Sequence, residues 1–598
     1  MSSTRVVSMS EPLSRREPLV VLSTNSILRR AIGRLRRELS GFPDWAWSLK
    51  EESIRWKAAR PDWESILTRE AGRWKSVRKA AENGPEVLIA TSSGGFPIIS
   101  AVETTLGVAL TLRGARVHFL ACDKFLPACV LSVIGFYPRV EQFSKHGPKH
   151  MCKFCYPLGQ KMFQILGLPV HRLSKYVSPE EASSAATISS QLPIGEVPDF
   201  KQDGVAVGEH AYAGALRFYH MGDLTNAPEV DPIVRRYLQA AMLTAYASQR
   251  LFSARPFVST CFIHGIYVPH GVISEVARKK NLRNASWTHS YRKHTFVFSH
   301  KDTYHHTMLS EPTATWENMH WTAEMEAEIV DYLRSRWSGK RDWISYCEDH
   351  RGDLDVESKL GIDFSKPCVG MLTNIMFDAQ VLYRSNAFPN MVEWVLQTIR
   401  YFGTRPDLQL IIRVHPAELQ HGKQSLQPLV GVIKEHLPEL PPNVFLIPPE
   451  SPISTYAVMM KCDSVIIWAT KTGVELTSMG IPVIVAGEAW IRNKGITLDA
   501  SSGEEYFKIL ERLPIGKRLS KDETQRARKY AYHFFFRRMI PLGVLRPAKS
   551  TFYELNVEGL DDLMPGRSVG LDVICNGILN GDDFIYPAES VREDFDER

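Results

Sequence analysis

A chain of 598 residues, 44% hydrophobic and 23% charged, has the composition of a soluble globular protein with room for two to four domains. It holds no run of about 18 apolar residues, which excludes a spanning helix. Its N-terminus also lacks the apolar core and cleavage site of a secretory signal, so the cytosol is the expected compartment. The net charge of +6 is unevenly placed: residues 1–80 carry 17 Lys and Arg against 9 Asp and Glu, leaving the remainder slightly acidic and no nucleic-acid partner expected.

The basic N-terminal part, residues 1–85, reads as a helical extension. Leu28, Ile32, Leu35 and Leu39 recur at spacings of four, three and four, ringed by Arg29, Arg30, Arg34, Arg36 and Arg37. Such a stripe suits either an anionic membrane surface, on the inner face of the plasma membrane, or packing on this protein or a partner. A second Arg/Lys-rich helix is expected over about 62–81.

From Glu86 the texture becomes that of a parallel α/β unit. "EVLIATSSGGFP" reads as a buried strand and a Ser/Gly loop, followed by an apolar helix over about 98–113 and the strand "ARVHFLACD". Gly94-Gly95 serves either phosphate approach or backbone geometry after a strand. Nine cysteines, odd in number and mostly scattered, suit a reducing compartment. Cys122, Cys129, Cys152 and Cys155 form one constellation, C-x6-C then C-x2-C, whose "CKFC" knuckle makes them candidate ligands of a structural zinc; a redox pair or inert buried thiols are the alternatives.

The middle of the chain is richer in helix patterns. "DPIVRRYLQAAMLTAYASQRLF" is a strong helix, "FVSTCFIHGIYVPHGVISEVARKKN" reads as strand, loop and a helix from near Gly271, and an aromatic, His-rich run, "WTHSYRKHTFVFSHKDTYHH", follows. Residues 348–363 are polar enough for a linker. A second α/β unit begins near Lys366, with strands in "PCVGMLTN", "LQLIIRVHP", "NVFLIPP", "SVIIWA" and "IPVIVAG". Two Rossmann-like domains facing a cleft are expected, with ligands at the carboxyl ends of the strands.

The richest stretch for chemistry is "VIIWATKTGVELTSMGIPVIVAG", residues 465–487. A strand, a small polar loop and a helix start present backbone N–H groups, the Thr470 and Thr472 hydroxyls and the Lys471 ammonium to phosphate oxygens, with Gly473 in the turn. Glu475 would accept hydroxyl hydrogen bonds from a ribose or sugar. The alternative is a plain capping role for Thr470 and Glu475. Arg413 and His415, at i and i+2 of another strand end, face the same way, and Pro416 turns the chain there.

"RVHP" followed by "ATKTGVELTSMGIPVIVAGEAWIRNKGITLDASSGEEYF" resembles the bacterial capsule polysaccharide biosynthesis family of glycosyltransferases. That family includes transferases using CMP-activated 3-deoxy-manno-octulosonic acid (Kdo) and is similar in plan to bacterial polysialyltransferases. The likeness runs over about 405–540. It implies a GT-B-like fold with the nucleotide-sugar donor on the C-terminal domain, His415 at the phosphate or cytidine, Glu475 at the ribose and Thr470–Thr472 at phosphate. Thr-Lys-Thr-Gly stands where many relatives have Ser-Thr-Val-Gly, and Lys471 would suit a diphosphate donor as well as a CMP-linked one. Arg492, Asn493 and Lys494 belong to the loop after the last core strand, either near the cleft or solvated.

GT-B transfer with inversion needs a general base from the opposite, acceptor-binding domain; the candidates are His210, His264, Glu209 and Asp123. The expected fold is α/β and GT-B-like: a basic helical extension (1–85), an acceptor-side Rossmann-like domain (86–350), a nucleotide-sugar domain (351–540) and a tail (541–598). The expected function is transfer of a sugar to a surface polysaccharide, lipid-linked or protein acceptor, with no catalytic metal, since no Asp-x-Asp pair is flanked by strand signals. A nucleotide-sugar epimerase on the same plan, or a non-catalytic component of capsule assembly and export, are the rival readings.

Overall fold

The computed structural model describes residues 60–591, except 138, 338–340, 343–355, 379–385, 420–424 and 548–552. The stripe Leu28–Leu39 and the first half of the expected linker 348–363 therefore lie outside the described residues.

Two sheets carry the architecture. The first is built from β1 (Glu86–Ser92), β2 (Arg116–Ala121), β3 (Val170–Arg172), β4 (Phe257–Ile263), β5 (Arg283–His289) and β6 (Thr295–His300). The second contains β7 (Cys368–Leu372), β8 (Gln409–Arg413), β9 (Val444–Ile447), β10 (Ser464–Ile467), β11 (Val483–Val485) and β12 (Leu498–Asp499). A late strand, β13 (Ile540–Pro541), returns to the first sheet.

The second sheet is ordered β12-β11-β10-β7-β8-β9 and every pairing is parallel. Numbered within its own unit this is 6-5-4-1-2-3, the doubly wound Rossmann order, whose direction reverses between β7 and β10. The first sheet repeats the arrangement. Its order is β13-β6-β5-β4-β1-β2-β3, parallel from β3 through β5, with reversal between β1 and β4 and antiparallel β6 and β13 on one edge. The fold is α/β and GT-B-like, two Rossmann-like units with a cleft at their strand ends. The core strands are fully buried β-branched runs, as sheets covered on both faces require; β1 and β8 have no exposed residue.

The boundaries differ from those expected. Residues 541–598 are not a tail: Leu542, Val544, Leu545, Leu571, Ile574, Ile578 and Phe584 sit in the first core beside Val87, Val117 and Trp287. Nor are residues 62–81 an appendage. They form two short helices, Trp63–Arg69 and Ala71–Ala80, whose Trp63, Ile66, Leu67 and Trp74 are buried in the same core. Trp63 Nε1 donates to Thr104 Oγ1 (2.8 Å) and Trp74 Nε1 to the Leu166 carbonyl (2.9 Å), which satisfies both indoles where they are buried. The second core, in turn, takes in Met308, Trp316, Ile329 and Leu333 from the segment before β7.

The Gly94-Gly95 loop after β1 is explained by packing. A β-carbon at Gly95 would lie 2.3 Å from the Cys155 carbonyl, and one at Gly159 would lie 2.8 Å from Gly94 C, so the loop lies directly on the helix Lys149–Leu166. No described helix is long and apolar enough to cross a membrane.

Candidate functional site

A cavity of about 340 Å³ lies between the two sheets, within the usual range for small-molecule sites. It lies where the doubly wound topology places ligands. The loops after β7 (Thr373–Ile375) and β10 (Trp468–Thr470) line it from the second sheet, and Asn374 Oδ1 ties them together by accepting from the Ala469 N–H (3.0 Å). His264 directly after β4, Thr288 and His289 at the end of β5, and Tyr291 line it from the first.

Of the donor-side residues expected from sequence, Arg413, His415, Thr470, Lys471 and Thr472 all reach this cavity. Their local chemistry differs. The Arg413 guanidinium is buried and donates to the carbonyls of Pro448 and Ser451, so its work is to hold the loop after β9. His415 Nδ1 accepts from the Ala417 N–H (3.1 Å), which assigns the proton of the neutral ring to Nε2. Thr470 Oγ1 accepts from the Thr472 N–H (3.3 Å) and donates to Thr472 Oγ1 (3.1 Å), closing the first turn of the helix Thr472–Ser478. Gly473 is not among the residues lining the cavity, and a β-carbon there would come within 2.6 Å of Ile467 Cδ1, so its glycine lets the helix lie on β10.

Glu475 corrects the expectation of a ribose acceptor. It is buried beneath the cavity, with one oxygen accepting from the Tyr456 hydroxyl and the other 2.9 Å from Lys471 Nζ. Arg336 Nε lies 3.1 Å from that second oxygen, although its N–H is not aimed at it. Arg336 also pairs with Asp342, and Tyr332 OH bridges the two, accepting from Arg336 and donating to Asp342 (2.8 Å). Two cations and two carboxylates thus lie together, all buried except the half-buried Lys471, whose Nζ sits 4.7 Å above the Tyr291 ring of the opposite wall. Burial alone would raise the Glu475 pKa, but Arg336 and Lys471 reverse this and hold it at about 2. Burial pushes the Lys471 pKa down, with Arg336 adding to the effect.

On the acceptor side only His264 reaches the cavity among the four candidate bases. It adopts a left-handed backbone (φ 60°), its N–H donates to the Trp287 carbonyl (2.7 Å), and burial among cationic and imidazole neighbours lowers its pKa well below the ordinary value. His210 is enclosed against Gly271, its Nε2 3.8 Å from Glu275, and burial lowers its pKa to about 4; it does not line the cavity. Glu209, half-buried on the same helix, does not line it either. Asp123 accepts from the Ser174 backbone N–H and hydroxyl and caps the turn there.

Arg492 and Lys494 also turn inward, donating to the carbonyls of Gly487 and Ala500 and of Leu309 and Glu311 respectively, while Asn493 donates its N–H to Asp499; none of the three lines the cavity. The sequence reading missed His305, Asp378, Glu488 and Trp490, all in the wall. Burial lowers the His305 pKa to about 4, so it is neutral. The His-rich run after β5 was the available signal.

Residues 337–516 match the model of the family described as "Capsule polysaccharide biosynthesis protein". The matched segment contains Arg413, His415 and Thr470–Thr472, all of which line the cavity. Among solved structures the chain is similar to a Thermosulfurimonas dismutans KpsC beta-Kdo 2,4 transferase, at 11% identity over 52% of this chain and 88% of that one, with a TM-score of 0.31. It is also similar to the beta-Kdo 2,7 transferase of the same KpsC (11%, 53% and 88%, TM-score 0.28) and to a Neisseria meningitidis UDP-GlcNAc 2-epimerase bound to UDP-GlcNAc (11%, 75% and 94%, TM-score 0.23). Similarities this low carry no argument about the site. No curated protein matches the sequence.

The four cysteines converge. Cys122, Cys129, Cys152 and Cys155 line a second, smaller cavity at the ends of β1 and β2, and none is in a disulfide. Among the described residues, however, no group of three or more His, Cys, Asp or Glu is placed to hold a metal ion.

Proposed function

We propose that the chain is a glycosyltransferase that moves a sugar from a nucleotide-sugar donor to a surface-polysaccharide, lipid-linked or protein acceptor. A CMP-linked donor is favoured by the family resemblance. The observation that carries the reading is one cavity at the carboxyl ends of two parallel sheets, with Lys471, His415 and Thr470–Thr472 of the family domain on one wall and His264 on the other.

In this reading the donor phosphate lies against the Lys471 ammonium, the His415 Nε2–H and the Thr472 hydroxyl. They stabilise the charge that develops as the glycosidic bond to phosphate breaks, without calling on a divalent cation. His264 is neutral at physiological pH and takes the proton of the acceptor hydroxyl as that oxygen attacks the anomeric carbon. Glu475 touches no ligand: it holds Lys471 in place and, with Asp342, balances the buried cations. The basic segment before residue 60 attaches the chain to the inner face of an anionic membrane, close to a lipid-linked acceptor.

The test is incubation with CMP-, UDP-, GDP- and dTDP-sugars and candidate acceptors, followed by separation of products. Release of free nucleotide with sugar appearing on an acceptor is expected. An intact nucleotide-sugar with an inverted sugar carbon would instead establish the epimerase, and unchanged donors would establish a non-catalytic component.

A further inference from the structure

The second cavity lies outside the nucleotide-sugar cleft and has its own chemistry. Cys122 follows β2 directly, and its N–H donates to the Ser92 carbonyl (3.1 Å) at the end of β1. Cys129 comes from the next loop. Cys152 and Cys155 stand at i and i+3 on the helix Lys149–Leu166, hence on one face of it. Three separate pieces of chain thus bring four thiols to one cavity, walled further by Ser92, Ser93 and Pro269. Cys261, Cys368, Cys462 and Cys575 are fully buried within the apolar clusters; the four of this cavity are half-buried and face a common space.

A single zinc ion draws its four thiolates to within about 3.8 Å of one another, as Zn–S bonds of about 2.3 Å in a tetrahedron require. No described group of three ligands meets the requirement for one ion. An iron–sulfur cluster asks for something else: each thiolate binds a different iron, so the sulfurs stand farther apart around a larger inorganic core. The surroundings also suit a core of net negative charge. Lys124 is in the wall, and Arg60 donates to the carbonyl of Gly95 (3.1 Å), the residue that lies directly against Cys155.

We propose that Cys122, Cys129, Cys152 and Cys155 hold a four-iron, four-sulfide cluster, each thiol giving up its proton as it binds iron. The centre is a pin for the acceptor side of the molecule. It joins the loop after β2 to the helix Lys149–Leu166 and to the end of β1. That loop reaches the β4 connection, where the Val130 N–H donates to the Val268 carbonyl (2.7 Å) and Val130 packs with Ile266 and Tyr267, two and three residues beyond His264. The assignment does not depend on what the nucleotide-sugar cleft transfers.

The full chain purified without air is assayed for iron, acid-labile sulfide and zinc, and its visible spectrum is recorded before and after dithionite. About four iron and four sulfide per chain are expected, with a broad visible absorption that bleaches on reduction. C152S and C155S should each lose that absorption, while C575A, in the core far along the chain, keeps it. The parent's own iron and sulfide content decides the matter if a variant fails to fold. One zinc per chain without iron would overturn the proposal. So would a folded, metal-free chain whose four thiols react with a thiol reagent, or iron retained in both serine variants.

Discussion

Replacing Glu475 with Gln tests the buried network under the cleft. The carboxylate has its pKa held at about 2 against an ordinary 4.5, and at 1.36 kcal/mol per pH unit the gap is worth about 3 kcal/mol. A separate route gives a similar size: removing one partner of a buried ion pair costs ~3–5 kcal/mol, because the partner's charge stays buried without compensation. In E475Q, Arg336 and Lys471 would face Asp342 alone. The folded pKa is depressed, so this stabilisation is fully present above pH 4.5 and is lost as pH falls toward 2. Urea unfolding of parent and E475Q should therefore differ by about 3 kcal/mol at pH 7 and converge between pH 4.5 and 2. A loss under ~1 kcal/mol at pH 7, or a difference that does not shrink in acid, would refute the network's role and return Glu475 to the pool of ligand-binding residues.

Further tests address the rest of the molecule. H264Q should leave donor affinity within about twofold of the parent and reduce turnover by 10²–10⁴-fold, the usual worth of a general base, whereas H210Q should leave turnover unchanged. Gly473→Val places side-chain atoms where a β-carbon already meets Ile467 at 2.6 Å, and should cost about 1–3 kcal/mol of stability in thermal unfolding. Deleting residues 1–59 should abolish salt-sensitive sedimentation with anionic vesicles and keep the fold. Deleting 1–80 should unfold the first domain, since burial of Trp63 and Trp74 is worth about 3–5 kcal/mol each.

Much of the framework could be read from sequence because both sheets are built on β-branched runs. β1, β2, β4 and β7 to β11 all fall inside segments identified by that signal, and the His-Pro and Thr-Lys-Thr strand ends line the cleft. What escaped was written in distant pairings. The β5–β6 hairpin is rich in His, Thr and Ser, so its alternation carried little apolar contrast. Residues 541–598 read as a tail because Leu542 stands far along the chain from Leu571 and Ile578, which lie together on the helix Val569–Asn580. Only the pairing of Ile540 with Phe296, far back in the chain, shows which sheet they complete. Glu475 looked open to a ligand because Arg336, the buried cation beside it, comes from a segment more than a hundred residues earlier that carries no motif.

In the proposed function the cavity between the two sheets binds a nucleotide-sugar through His415 and Lys471. Isothermal titration of CMP-, UDP-, GDP- and dTDP-sugars into the parent and into H415A tests it most directly. Saturable, one-to-one binding of one nucleotide class to the parent is expected, with about a 10- to 150-fold loss in H415A, the equivalent of about 1.5–3 kcal/mol for a hydrogen bond to a charged group. Binding of no nucleotide-sugar, or equal affinity in a folded H415A, would contradict it.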